Sequence, residues 1–361
     1  LHRLIRRQRQ MCIRDRRMVE IVTISQPRTL NTKRPFLTFL KRGDKMKIIV
    51  MEPLGVSAAK IEAVSAPLKA AGHEFFYPET QELDQTKLLA RVKDADVLIL
   101  ANQKLSGDII RQCPNLKMIS IAFTGVDHVD LEACRERNIT VCNAAGYSTN
   151  AVAELAFGLA ISVIRNIVPC DHQARHEGTK AGLVGFELYG KTFGVVGTGA
   201  IGRRVAEIAL AFSCKVIAYN RSEKQDLIAK GVKFVSKEEL FREADFVSLH
   251  TPLTAETKSL VNADMIKLMK PTAVLINTAR GPVVDSEALA AALNEGRLAG
   301  AGIDVFETEP PIPADHPLCH AKNTVLTPHV AFASKEALET RADIVIENIK
   351  AWEAGKPQNL V

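Results

Sequence analysis

Residues 193–222, FGVVGTGAIGRRVAEIALAFSCKVIAYNRS, narrow the possible folds more than any other stretch of the chain. The run opens on an apolar segment, residues 193–196, with the character of a buried parallel strand. Gly197-Thr198-Gly199-Ala200-Ile201-Gly202 follows, then a helical pattern with Val205, Ile208, Ala209 and Phe212 on one face. A second apolar strand, residues 215–219, ends at Asn220. Strand, glycine turn, helix and strand in that order are the context in which GxGxxG binds a dinucleotide. Gly197 permits the tight turn, Gly199 leaves the backbone open to a pyrophosphate, and Gly202 lets the helix close on the strand. Phosphates seated beside Ala200 and Ile201 would meet the free N–H groups and positive dipole end of the helix. Without its flanks the same motif would be only a glycine-rich turn in an ordinary α/β core.

The rest of the chain alternates in the same way. Before the fingerprint, strands are expected at residues 47–51, 74–77, 96–100, 117–121 and 139–142, with helices such as 57–71 and 84–93 between them. After it, strands are expected at 232–235, 245–249, 273–277, 302–305 and 324–326. Such alternation implies parallel sheets covered on both faces, hence an α/β fold with two doubly wound sheets. Asn150 is placed to cap a helix over 151–166. Residues 169–190 read as irregular, with His172 and His176 as surface or interface histidines. The last helix, 335–353, has Ser334 as cap, Gly355 and Pro357 as stop, and an apolar stripe of Leu338, Ala342, Val345, Ile349 and Trp352.

At 361 residues, 47% hydrophobic and 24% charged, the chain can build two cores. No apolar run is long enough to span a membrane. Seven scattered cysteines without a CxxC pair suit reduced thiols in the cytoplasm, and nothing near Cys170 and His172 completes a metal site. The net charge of +6 comes from the first 45 residues, whose thirteen Lys/Arg and three Asp/Glu give a surplus of ten. The remaining residues therefore carry about −4 and argue for neither nucleic acid nor a membrane as partner. That basic leader reads three ways: a transit peptide, a basic arm, or a segment foreign to the native protein. Residues 7–16, RQRQMCIRDR, resemble translated adapter sequence, and Met46 opens the first strand, so 1–45 is expected to be non-native or disordered.

Five polar clusters fall at strand ends, where doubly wound sheets bind ligands. They are Thr124-Gly125-Val126, His250-Thr251-Pro252, Asn277-Thr278-Ala279-Arg280-Gly281, the run from Asp304 to Pro310, and Thr327-Pro328-His329. Gly125 would offer backbone N–H groups to an anion, although a plain turn is the alternative. Singly, Arg280 reads as a surface ion pair, Glu309 as an exposed turn residue and His329 as a loop histidine. Together they bring a fixed cation, a carboxylate and an imidazole to one crevice, a set suited to reducing a charged carbonyl compound.

From residue 46 to the end the chain resembles the D-isomer-specific 2-hydroxyacid dehydrogenases. The likeness is carried by GTGAIG, HTPLTAET (250–257), NTARGPVVD (277–285), AGIDVFETEP (301–310) and TPHVA (327–331). It implies a Rossmann cofactor domain over 150–329 and a discontinuous, flavodoxin-like substrate domain over 46–149 and 330–361, joined as a homodimer through the cofactor domains. It also implies that Arg280, Glu309 and His329 are catalytic. Arg280 would bind the carboxylate of a 2-oxo acid, His329 would protonate the ketone oxygen as hydride arrives from the nicotinamide, and Glu309 would orient His329. Thr124, Gly125 and Val126 would help hold the carboxylate. Thr251, Pro252, Thr257, Thr278, Ala279 and Asp304 match positions that line the cofactor.

Two departures narrow the substrate. Formate-oxidising relatives have Gln where Glu309 stands, and Asn102 sits where phosphoglycerate-oxidising relatives can place an Arg. A small unphosphorylated 2-oxo acid is therefore expected, with phosphoglycerate dehydrogenase, or an NAD(P)H-sensing corepressor-like scaffold, as alternatives. The second strand ends on Asn220-Arg221-Ser222 rather than an acid, so NADP is expected over NAD as the cofactor.

Overall fold

The computed structural model describes residues 45–308 and 311–361. The leader expectation, the Glu309 assignment and Pro310 lie outside the described residues, apart from Lys45. Lys47–Val50 (β1), Glu74–Phe76 (β2), Val97–Leu100 (β3), Met118–Ile121 (β4) and Thr140–Cys142 (β5) form one parallel sheet in the order β2-β1-β3-β4-β5. Seven more strands form a second: Thr192–Val196 (β6), Lys215–Tyr219 (β7), Lys233–Phe234 (β8), Phe246–Leu249 (β9), Val274–Asn277 (β10), Gly300–Ile303 (β11) and Thr324–Leu326 (β12). Their order is β12-β11-β10-β9-β6-β7-β8. Every pairing in both sheets is parallel. The central strands β3, β4, β9, β10 and β11 are buried at every position, because helices cover both faces.

The first order is flavodoxin-like and the second is Rossmann-like, as the alternation predicts. In the second sheet the order reverses between β6 and β9, so the crevice opens at the carboxyl ends of those strands. The closing helix, Lys335–Glu353, returns to the first sheet, where Ala342, Val345, Ile346, Ile349 and Trp352 share a core with Ile48, Val50 and Ile99. Ser334 caps that helix by accepting from Ala337 N at 3.1 Å.

Three local readings need correction. The helix expected at 151–166 is Thr149–Ile164, so Asn150 lies inside its first turn. The Asn150 side chain is spent instead on Arg204 Nε, at 3.1 Å. Residues 169–190 are not wholly irregular: a further helix, Ile167–Arg175, runs into them and begins after Asn166 turns the chain in a left-handed conformation (φ 53°). This helix buries none of its residues and so carries no apolar stripe to announce it, and Pro169 is tolerated in its first turn because N–H groups there are unpaired anyway. Phe212 does not continue the buried face of the fingerprint helix, Ala200–Ala211; it caps the end, 40% exposed, and stacks on Phe157 at 5.3 Å.

Candidate active site

The three glycines of the fingerprint have the sterics that their spacing suggests. Gly197 has φ +91°, and a Cβ there would sit 2.6 Å from the His250 carbonyl oxygen. A Cβ on Gly202 would collide with the Gly197 carbonyl, so the helix could not pack so close to β6. A Cβ on Gly199 would meet nothing within 4 Å, because this residue faces open space. Gly199 is also the N-cap of Ala200–Ala211 and supplies no side-chain cap, which leaves the first N–H groups of that helix to whatever enters the cleft.

Two adjoining cavities share Gly199, His250, Thr251 and Pro252. The first, about 260 Å³, lies at the ends of β6 and β7, where Gly197, Asn220, Arg221 and Thr257 line it. The second, about 380 Å³, runs from Ala200 and Ile201 past Thr278 and Ala279 to Arg280 and His329, with Thr124 and Gly125 across from them. Among the described residues, Thr251 Oγ1, Thr278 Oγ1 and His250 Nδ1 are buried along this path with no hydrogen-bond partner, and Thr198 Oγ1 is likewise unpartnered within the glycine turn. Burial without a hydrogen bond is costly, so these atoms fit a polar ligand that passes them, and a dinucleotide has the length and the groups. Burial pushes the His250 imidazole down to about 3, so it is neutral, with Nε2 within 2.8 Å of Ser248 Oγ.

At the β7 end, Asn220 Oδ1 accepts from Thr198 N at 3.2 Å and its Nδ2 donates to Ser222 O at 2.8 Å, which ties the glycine turn to the second strand. Arg221 stands in solvent, 3.8 Å from Glu256. Lys224 donates to Ser222 Oγ at 3.3 Å, so a second cation joins Arg221 beside that serine.

At the other end, Arg280 follows β10. Its Nε and Nη2 both donate to Asp127 Oδ1 at 3.2 Å, and its Nη1 donates to Ala279 O at 2.7 Å. His329 follows β12 in a left-handed backbone conformation, φ +54°. Its ring lies nearly perpendicular to those of Phe123 and Phe332, with centroids 5.8 and 5.6 Å away. The residue expected to orient it, Glu309, is outside the described residues. Its neighbour Glu307 is held from two sides, by Ser286 Oγ at 2.7 Å and by His316 Nε2 at 2.9 Å. Burial opposes ionisation of Glu307, but these two partners outweigh it and hold the carboxyl below its usual range.

Asp304 does something the sequence did not reveal. Wholly buried, its carboxylate accepts from Thr327 Oγ1 (2.6 Å), Val330 N (2.8 Å) and Ala331 N (3.0 Å). Burial pushes its pKa up against the pull of those donors. Asn102, Val126, Ser222 and Asp304 are not among the residues that line the two cavities, and Asn102 is exposed beyond β3. Residues that the sequence did not single out include Asp127, Tyr147, Phe123 and Phe332. Asp127 stands one position past the turn already marked, whereas Tyr147 carries no signal, since only the fold brings its ring beside Phe123 and buries its hydroxyl. Burial raises the Tyr147 phenol to about 12, so it stays protonated. Among the described residues no group of three His, Cys, Asp or Glu is placed to hold a metal ion.

Comparison with known proteins agrees with this geometry. Residues 157–331 match the family model for the NAD binding domain of D-isomer specific 2-hydroxyacid dehydrogenases. The chain is 40% identical over 282 residues to a glyoxylate reductase of Korarchaeum cryptofilum, covering 76% of this chain and 85% of that one. It is 37% identical over 308 residues to a glycerate dehydrogenase of Methylorubrum extorquens, covering 81% and 96%. Among solved structures, an acyclic imino acid reductase in complex with NADPH and D-Arg superposes with a TM-score of 0.79 at 33% identity, over 88% of this chain and all of that one. By its sequence, its two doubly wound sheets and the cleft they build, the chain belongs to the D-isomer-specific 2-hydroxyacid dehydrogenases, NAD(P)-dependent oxidoreductases that interconvert 2-oxo and 2-hydroxy acids.

Proposed function

We propose that this chain reduces a small unphosphorylated 2-oxo acid, such as glyoxylate or hydroxypyruvate, to the D-2-hydroxy acid, with NADPH preferred over NADH. The observation that carries this reading is that Arg280 and His329 line one cleft with Gly125 and the fingerprint residues Gly199 to Ile201. A bound nicotinamide dinucleotide supplies the hydride. Residues 150–329 hold it, with the pyrophosphate at Gly199 and Ala200 and the adenosine ribose at Asn220, Arg221 and Ser222. Residues 46–149 and 330–361 form the substrate side. The planar fork of Arg280 binds the carboxylate and polarises the adjacent ketone. His329 gives its proton to the ketone oxygen, and takes it back in the oxidative direction. Glu309 orients His329 and stabilises its protonated form. Phe123, Phe332 and Tyr147 keep water from the reacting end.

A second copy of the chain is proposed to cover Ile167, Val168, Val184, Tyr189 and Phe212, which are 40 to 85% exposed and apolar. The free thiols of the described residues suit the reducing cytoplasm. The test is turnover of a panel of 2-oxo acids with NADPH and with NADH. Binding of NADPH with negligible reduction of every acid would instead favour a cofactor-sensing scaffold.

A further inference from the structure

Arg280 and Asp127 come from different sheets. Asp127 stands in the turn after β4, and Arg280 follows β10. Arg280 gives Asp127 its Nε and Nη2, the side-on edge of the guanidinium, which is the edge that can meet a carboxylate with two parallel N–H groups. Its remaining nitrogen, Nη1, is committed to Ala279 O. The approach depends on Gly125, because a Cβ at that position would collide with Arg280 Nη2.

The pair is also unequal. The Asp127 side chain is 49% exposed and that of Arg280 21%, so the carboxylate can turn out into water while the guanidinium stays in place. Both bonds fall on one oxygen at 3.2 Å, longer than the roughly 2.7–2.9 Å of a tight charge-assisted bond.

We propose that Asp127 is an internal competitor of the substrate carboxylate: it holds the side-on edge of Arg280 and is displaced when a 2-oxo acid takes that edge. The proposal rests on the reading of Arg280 as the carboxylate-binding residue. Substrate affinity is then reduced by the fraction of molecules in which the edge is held. A half-exposed ion pair shifts such an equilibrium by about two- to fivefold. A residue that merely steadied Arg280 would act in the opposite sense, because its loss would weaken substrate binding.

The experiment uses the full chain and its Asp127→Asn, Asp127→Ser and Asp127→Glu variants at saturating NADPH. It measures KM and kcat for the best acid of the panel, and the inhibition constant of oxamate, an unreducible carboxylate of the same shape as a 2-oxo acid. Asp127→Asn and Asp127→Ser are expected to lower KM and the oxamate constant together by about two- to fivefold, with kcat within about twofold of the parent. Asp127→Glu keeps a carboxylate within reach and is expected to leave both constants at or above the parental values. Unchanged or raised constants in Asp127→Asn, in protein that melts with the parent, would overturn the proposal while leaving the function intact. A parent chain that neither turns over any 2-oxo acid nor binds oxamate would overturn the function and this proposal with it.

Discussion

Asp304 holds His329 from both directions: its carbonyl oxygen accepts from His329 N at 2.7 Å, and its carboxylate accepts from the next two backbone N–H groups. A non-glycine residue in the left-handed region costs on the order of 1–3 kcal/mol and persists only when its surroundings fix it. His329, at φ +54°, is such a residue, and Asp304 supplies the fixing bonds.

Replacing Asp304 by Asn keeps one acceptor but turns an amide donor toward Val330 N, Ala331 N or Thr327 Oγ1. We predict that turnover falls at least about tenfold, since a 1 Å misplacement of a reacting group can cost about 10²-fold. NADPH affinity, read by fluorescence quenching, should stay within about twofold of the parent. If affinity fell as far as turnover, Asp304 would be acting as the cofactor contact that the family resemblance suggests, and the positioning role would be wrong.

His329→Ala removes the proposed proton donor. Turnover of the preferred 2-oxo acid should drop by about 10² or more, the usual loss when an acid–base group is removed. NADPH binding should change little. Near-normal turnover would exclude His329 as the acid.

Much of this arrangement could be read before the fold was known, and the reasons are physical. The roles of Gly197, Gly199 and Gly202 follow from sterics alone, so their spacing reported their contacts. Most strand ends are legible because parallel sheets need apolar runs that stop where the crevice begins; the strand expected at 302–305 lies instead at Gly300–Ile303, where glycines break the apolar signal. The helix Ile167–Arg175 was hidden because it buries nothing, and hydrophobic period is the signal by which helices are found. Asn150 escapes a capping argument because capping propensity is local, whereas its side chain answers to Arg204, 54 positions away. Family resemblance points Asp304 to the cofactor, whereas its bonds to the His329 loop join strand ends 23 to 27 positions apart that only the sheet order brings together.

Arg280→Lys should not be conservative. Lysine keeps the charge but cannot present two parallel N–H groups to a carboxylate. We expect KM for the 2-oxo acid to rise and kcat to fall, while NADPH affinity is retained. Unchanged steady-state constants would remove Arg280 from the site.

Asp245 provides a pH test of the second sheet. Its carboxylate accepts from Thr192 N at 2.8 Å and Lys270 Nζ at 2.9 Å. Burial opposes ionisation, but these partners outweigh it and hold the carboxyl below the usual aspartate range. A lowered folded pKa stabilises the protein above the unfolded value of about 3.9 and loses that contribution as pH falls through the folded value. Asp245→Asn should therefore lower the melting temperature at pH 7, and the difference from the parent should shrink as pH falls below about 4. A gap that stayed constant from pH 7 to pH 3 would show that Asp245 acts through shape rather than charge.

The cofactor preference turns on Asn220, Arg221 and their neighbours. NAD-selective Rossmann folds place an acid at the end of the second strand to accept from the ribose 2′-OH. Here Asn220 occupies that place, and its side chain is already used between Thr198 N and Ser222 O. A 2′-phosphate therefore meets no carboxylate at this position. Two like charges about 4 Å apart at an effective dielectric near 20 would repel by about 4 kcal/mol before screening. Arg221 and Lys224 flank Ser222 and would pair with a phosphate there, although Glu256 lies 3.8 Å from Arg221 and offsets part of its charge. We therefore expect a preference for NADPH of about ten- to a hundredfold, equivalent to about 1.4 to 3 kcal/mol. Asn220→Asp combined with Arg221→Ile should move the ratio of specificity constants toward NADH. Glu256→Gln should move it the other way, because it frees Arg221 for the phosphate. A parent that prefers NADH, or a double variant whose ratio does not move, would overturn the assignment. If Glu256→Gln left the ratio unchanged while the double variant shifted it, Arg221 would already be free of Glu256 in solution.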